Sequence, residues 1–252
     1  MNRRINEIYC IFLIHLARLR REAGPFLLAA IIFPAGMYIF ASAIASPQME
    51  MTEASRRHFL AASMAFSLSL TAVSWLGYLL LENRFMGRLS LFATLPFSPS
   101  SYVLGLLIFA VMQGCIGVAS LLIVGTLLGV PIATNTVGGF VLLVAVMLIA
   151  LLVLSGISVV IAVKVRSFSE GSLFTDSLGT GLVLFAPVYY PVSAMPKAIG
   201  WIGYFLPTTY IASAFDKILA GNNFVGTEFA VLSAMAVVTL AFGSNAMNWR
   251  EE

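Results

Sequence analysis

An all-α membrane protein with six transmembrane helices is the fold that this sequence predicts, on three observations. Of 252 residues, 60% are apolar and only 10% charged, with a mean hydropathy of +0.97, too little polar surface to cover a soluble globule of this size. Apolar runs at about 25–46, 59–81, 101–130, 137–163, 172–190 and 227–248 each approach the roughly 20 residues that span a bilayer, where a helix closes its own backbone hydrogen bonds. Of the 14 basic residues, Arg3, Arg4, Arg18, Arg20, Arg21, Arg84, Arg88, Lys164, Arg166 and Arg250 fall on one side of these runs, against Arg56, Arg57, Lys197 and Lys217 on the other. That bias places both termini in the cytoplasm. The net charge of +3 follows from it and gives no reason to invoke nucleic acid.

Residues 1–23 open the chain with Ile5, Ile8, Tyr9, Phe12, Leu16 and Leu19 on one helical face and Arg4, Glu7, His15 and Arg18 elsewhere. This is the pattern of a helix lying in the cytoplasmic interface, its basic residues toward lipid headgroups. His15 reads as an interfacial polar residue, because no second His or carboxylate stands at i+3 or i+4 to help hold a metal. The early apolar run is interrupted by His15 and Arg18 and lacks a small-residue cleavage site, so no cleavable signal is expected. Gly24-Pro25 then breaks the helix and starts the first span, inside which Pro34 predicts a kink. The loop from Ser46 to His58 reads as a solvated connector. Cys10 and Cys115 lie far apart, offer neither a disulfide framework nor a CxxC metal site, and read as small apolar fillers.

Residues 82–99 interrupt this apolar pattern. Phe85, Leu89, Phe92 and Leu95 recur at three- and four-residue spacing beside Glu82, Arg84 and Arg88, which predicts a short amphipathic helix ended by Pro96 and Pro99. The third span carries a GxxxG at Gly125 and Gly129, read as packing within the chain. The short uncharged connection at Pro131–Thr136 predicts a tight antiparallel pair with the fourth span. Lys164 to Glu170 then return the chain to the cytoplasm. Asp176 follows about two turns into the next apolar run, where an acid is a functional candidate; its place near the cytoplasmic end favours a hydrated helix end, or a pairing with Lys164 or Arg166, over a proton relay. Residues 188–224 are apolar and aromatic, yet Pro191, Pro196 and Pro207 prevent one continuous helix. Short broken helices near the outer interface are expected there.

Taken together, these regions resemble the ABC-2 type transporter permease family, the membrane subunits of ATP-driven exporters. The resemblance covers nearly the whole chain as one domain, 1–252. It runs through the N-terminal helix, six spans, Leu95-Pro96-Phe97-Ser98 leading to Tyr102-Val103-Leu104-Gly105, and Tyr190-Pro191-Val192-Ser193-Ala194-Met195-Pro196 leading to Leu206-Pro207-Thr208-Thr209-Tyr210. It implies that residues 82–99 form a coupling helix docking into a groove of a separate ATPase. Phe85, Leu89 and Phe92 would be its anchors, Glu82, Arg84 and Arg88 its polar rim, and Pro96 would lie at its end. It also implies that residues 188–224 re-enter from outside as an exit gate comprising Tyr190, Pro191, Met195, Pro196, Trp201 and Pro207. Two copies of a nucleotide-binding ATPase subunit, a second permease copy or homologue, membrane lipids and a bacterial inner membrane follow from the same resemblance. ATP and Mg would be bound by the partner, since no GxxxxGK[ST] phosphate loop occurs in this chain. The implied mechanism is alternating access driven by the ATPase.

With no charge deep in a span except the shallow Asp176, a lipophilic or amphipathic substrate of drug, lipid or glycan type fits better than a small ion. Phe66, Trp75, Tyr78, Phe185, Tyr189 and Tyr190 either line a path or serve as packing and interface anchors. An ATP-independent secondary transporter or channel predicts an intramembrane carboxylate pair, a midplane base or inverted repeats, none of them clear here. A membrane enzyme needs a buried catalytic constellation, whereas His15 and His58 flank opposite ends of the first span. A passive scaffold leaves the amphipathic loop and the broken outer segment unexplained. The charge bias predicts that a cysteine placed at Lys197 is labelled in intact cells by a membrane-impermeant maleimide, and labelling from the cytoplasm alone contradicts the topology.

Overall fold

Backbone groups in lipid must find partners within the chain, and the described residues form helices as their only regular structure. The computed structural model describes residues 3–45, 52–94, 98–133, 136–189, 197–222 and 224–246. Leu95, Pro96, Tyr190, Pro191, Met195, Pro196 and Arg250 lie outside the described residues. In chain order the elements are α1 (Arg3–Arg21), α2 (Ala23–Leu27), a π-helical turn π1 (Leu28–Ile32) and α3 (Phe33–Ala45). Next come α4 (Glu53–Ser69), a second π-helical turn π2 (Leu70–Trp75), α5 (Leu76–Phe85) and α6 (Arg88–Thr94). They are followed by α7 (Pro99–Leu127), α8 (Val137–Lys164), α9 (Phe168–Leu184), α10 (Lys197–Gly203), α11 (Pro207–Leu219) and α12 (Gly226–Ala246).

Among the described residues, four stretches are long and apolar enough to cross a membrane: Ala23–Ala43, Glu53–Phe85, Ser101–Leu127 and Val137–Lys164. Within the described residues, the helices of the fifth and sixth apolar runs are shorter, as α9 has 17 residues and the apolar part of α12 is Gly226–Phe242. The Glu53–Phe85 stretch is the centre of the bundle. Its apolar window is 83% buried, against 22% for Ala23–Ala43, and its small residues Ala61, Ala62, Ser63, Ala65 and Ser67 let neighbours approach closely.

Where these helices depart from α-geometry, hydroxyls of neighbouring helices take the freed carbonyls. Pro34 has no N–H to donate to the carbonyl of Ala30, four residues back inside π1. Ser67 of α4 donates to that oxygen instead, at 2.8 Å. A methyl added at Gly117 of α7 would sit on the Ser67 hydroxyl and 3.1 Å from the Ala30 oxygen, so glycine is needed where π1, α4 and α7 meet. The same device recurs at π2, where Ser158 of α8 donates to the Ala72 carbonyl. In the other direction, Ser69 donates to the Gly179 carbonyl of α9 at 2.8 Å and Ser74 donates to that of Thr175 at 3.3 Å, tying α4 and π2 to α9.

The expected GxxxG divides into two roles, both within the chain. Gly125 packs on Leu60 of α4. Gly129, at φ 74°, ends α7, and the Val130 N–H closes back onto the Gly125 carbonyl at 2.9 Å, a left-handed helix stop. Hydroxyls of Thr52, Ser98, Thr136 and Ser167 cap α4, α7, α8 and α9.

Either Ser67→Ala or Gly117→Ala should lower stability by about 1–3 kcal/mol, the first by orphaning the Ala30 carbonyl and the second by displacing its donor. Because both act on one bond, the double variant should cost clearly less than their sum in unfolding from mixed micelles. Additive losses would show that the two sites are independent.

Candidate functional site

At the end of the bundle that carries Arg18, Arg84 and Arg88, the chain turns sharply between α5 and α6. Gly87 takes φ 71°, a left-handed value that needs glycine, and so divides the stretch read as one amphipathic helix. Glu82, Arg84 and Phe85 therefore belong to the last turns of α5, and only Arg88–Thr94 forms the following helix. Pro99 sits in the first turn of α7 behind the Ser98 cap, so it begins a helix as well as bounding the amphipathic segment.

Glu82 joins three elements. One carboxylate oxygen pairs with Arg18 of α1 and the other with Arg88 Nη2 of α6 at 3.2 Å. Arg18 Nε also holds Glu22 at 3.0 Å, so two carboxylates and two guanidiniums compensate one another. Arg84 folds back and donates from Nη1 to the carbonyls of Ala162, Val163 and Val165 at 2.6, 3.1 and 3.1 Å. Those groups lie at the C-terminal end of α8, where carbonyls lack intrahelical partners and attract a cation.

Tyr102 of α7 completes the joint. Its hydroxyl accepts from Asn83 Nδ2 at 2.8 Å, and its ring packs on Phe92, with centroids 5.6 Å apart. The Ser98 N–H donates to Glu7 Oε2 at 3.1 Å, tying the start of α7 to α1.

This geometry rearranges the roles expected for the loop. Phe92 is buried against Tyr102, and Phe85 and Leu89 pack partly against the core. Glu82 and Arg84 are likewise turned inward by their ion pairs and carbonyl bonds, which leaves Arg88 as the exposed member of the expected polar rim. The apolar side chains facing outward are Met86 and Leu91, 62% and 60% exposed. Neither was singled out from the sequence, since the i, i+3, i+4 count followed the inward stripe.

α1 also differs from the expected interfacial helix. A methyl added at Gly105 of α7 would stand 2.7 Å from Ile11 Cγ2 and 3.2 Å from the Ile8 carbonyl oxygen, so glycine there lets α1 lie close, and His15 is buried, its ring 5.6 Å from that of Phe109. Its two nitrogens have no hydrogen-bond partner among the described residues. Ile5, Tyr9 and Leu13 remain exposed on the other side.

At the opposite end, Arg57 Nε and His58 Nδ1 meet Asp216 of α11 at 3.1 and 3.5 Å. Burial pushes the Asp216 carboxyl up, but hydrogen bonds and charge from His58 and Arg57 outweigh it and hold the group below its usual range. Lys217 Nζ reaches Glu228 of α12 at 2.6 Å, and Ser213 donates to the same oxygen. The Leu206-Pro207-Thr208-Thr209-Tyr210 motif acquires a structural meaning here. Pro207 starts α11 and is buried, Thr208 donates to the Leu182 carbonyl of α9, and Thr209 and Tyr210 donate to Gly203 and Tyr204 at the end of α10. Trp201 of α10 is 71% exposed, so these two members of the expected outer gate face different surroundings.

Of the aromatic candidates, Phe66 is buried beside Phe33 and Tyr189 is buried with its hydroxyl 3.1 Å from that of Ser63. Phe185 is exposed, while Trp75 and Tyr78 line a cleft with Asp176. Asp176 is exposed and makes no ion pair with Lys164 or Arg166, so of the two expected arrangements, a hydrated helix end or that pairing, the second is not formed. α9 projects it toward α2 and π2 instead. Among the described residues no three His, Cys, Asp or Glu side chains are grouped to hold a metal.

Burial, together with the charges of Arg18 and Arg88, lowers the His15 pKa to about 4 from its usual 6.5. The unfolded chain therefore takes up the proton first as pH falls. Stability is full above about pH 6.5 and is lost on going down toward pH 4, by at most about 3 kcal/mol. Thermal unfolding of His15→Phe should lose this acid-side decline while the parent keeps it; parallel pH profiles would contradict the burial of His15.

Comparison with curated proteins finds no match. A family model for the ABC-2 type transporter matches residues 8–220, from the first turns of α1 through the end of α11. The matched segment contains the Glu82 joint, the α5–α6 turn and the Thr208 motif. The chain belongs to the ABC-2 type transporter family, whose members are membrane permeases that pair with an ATP-binding subunit.

Proposed function

We propose that this chain is the permease subunit of an ATP-driven exporter and moves a lipophilic or amphipathic substrate across a bacterial inner membrane by alternating access. In this reading it has six spans, α9 and α12 included, and both termini are cytoplasmic. It works with two copies of a nucleotide-binding ATPase that supplies ATP and Mg, and with a second permease copy or homologue. The observation that carries the reading is the α5–α6 turn. It presents Met86, Arg88 and Leu91 outward from a base fixed by Glu82, Arg84 and Tyr102. Two exposed apolar side chains around a cation suit an anchored contact with a rim, the usual anatomy of a small docking surface.

Movement of the docked turn then has defined routes into the bundle. Glu82 passes it to α1 through Arg18, Arg84 passes it to the end of α8, and Tyr102 passes it to α7. At the far end, α10 and α11 act as the outer gate, with Trp201 and Pro207 its described members. Thr208 ties that gate to α9.

Co-purification from membranes that hold both subunits tests the reading. The parent chain should retain the ATPase subunit and couple its hydrolysis to substrate. Met86→Asp with Leu91→Asp should reduce retention tenfold or more, because two desolvated anchors are lost at about 1 kcal/mol or more each. A parent that recruits no ATPase, or a double variant that recruits and couples it equally well, would sink the proposal.

A further inference from the structure

Between α2, π2 and α9 lies a cleft of about 340 Å³, lined by Glu22, Pro25, Ala29, Trp75, Tyr78 and Asp176 among others. This is within the size range of small-molecule sites. Its charge is unbalanced. Glu22 is neutralised by Arg18, whose remaining capacity goes to Glu82, which in turn holds Arg88. Asp176 has no hydrogen bond or ion pair with a described residue. The cleft therefore keeps one uncompensated negative charge.

Its walls are aromatic and held in place. Trp75 meets Phe26 edge-on at 6.4 Å, and Tyr78 meets Phe168 edge-on at 5.4 Å. The Trp75 indole N–H is buried and has no partner among the described residues.

We propose that this cleft is a substrate site for a monovalent organic cation with an apolar or aromatic body. Its positive centre faces Asp176, and its body lies against Trp75 and Tyr78, where ring faces also attract a cation. The substrate class rests on the reading of the chain as an export permease. A divalent metal is disfavoured because the second carboxylate, Glu22, is already paired. An amine-bearing phospholipid headgroup offers similar cationic chemistry, but it brings a phosphate beside Glu22 and Asp176 while Arg18 is already occupied by two carboxylates.

The test is equilibrium binding to the full-length chain in phosphatidylcholine nanodiscs, without any ATPase. The probes are tetraphenylphosphonium and tetraphenylborate, nearly equal in shape and opposite in charge, with empty nanodiscs subtracted. The phosphonium should bind saturably at one site per chain and the borate should not. Asp176→Asn should weaken phosphonium binding about tenfold or more, Trp75→Leu should weaken it several-fold, and Asp176→Glu should preserve it, which separates lost charge from a damaged fold. Raising phosphatidylethanolamine to half of the lipid should leave the affinity unchanged. Equal binding of the two ions, an unaltered Asp176→Asn variant, or competition by phosphatidylethanolamine would each overturn the proposal. Failure to recruit an ATPase with cation binding intact would instead count against the exporter reading alone.

Discussion

The hydrogen bond from Ser67 to the Ala30 carbonyl is the contact on which the arrangement of this bundle turns. Proline in a membrane helix frees a carbonyl that lipid will not solvate, and leaving it unpaired costs about 1–3 kcal/mol. The chain meets that demand with a serine on the central helix and a glycine on α7 that leaves room for it. Three helices are thereby fixed in register by one polar group. Ser158, Ser69 and Ser74 likewise tie π2 and α4 to α8 and α9. In a bundle without a water-driven hydrophobic force between helices, such bonds and small-residue contacts carry much of the specificity.

Built on that frame, the α5–α6 turn has little freedom of its own. Gly87 supplies the sharp change of direction, and Glu82, Arg84 and Phe92 around it are each committed inward to a different helix. A short segment held at so many points is suited to transmitting a displacement, because movement at its tip is not absorbed by local unfolding. The ends of the bundle are also chemically distinct. One is clamped by the Glu82 network, the other by Asp216 and Glu228 with their cations. Alternating access requires that one end loosen while the other holds, and separate ionic clamps permit that.

Much of this was legible in the sequence. The apolar runs and Pro34 pointed to helices in lipid and an irregular first span, and the segment after Leu81 to a short amphipathic helix, of which Arg88–Thr94 is the separate helical part. The side-chain assignments were less so. Phe92 shares its spacing with Phe85 and Leu89, and helical periodicity marks a stripe without saying whether a partner protein or Tyr102 covers it. The ion pair of Glu82 with Arg18 spans sixty-four positions in the sequence and has no local signature. His15 looked interfacial because it stands among arginines, yet Gly105 lets α1 approach α7 closely enough to bury it. Asp176 stood near Lys164 and Arg166 along the chain, but helix α9 turns it toward α2. Each miss concerns which neighbour a side chain meets, a property of packing rather than pattern.

The central claim is that Glu82 makes α1 and the α5–α6 turn move as one body. Pulsed electron–electron distance measurement between spin labels at native Cys10, which is exposed on α1, and at Thr94→Cys, exposed at the end of α6 and outside the proposed anchors, with Cys115 replaced by Ala, tests it directly. The parent complex should give one narrow distance distribution that stays fixed when the partner ATPase is trapped in its ATP-bound state, and Glu82→Gln should broaden it. A distance that changes with the nucleotide state in the parent, or a distribution indifferent to Glu82→Gln, would contradict the account.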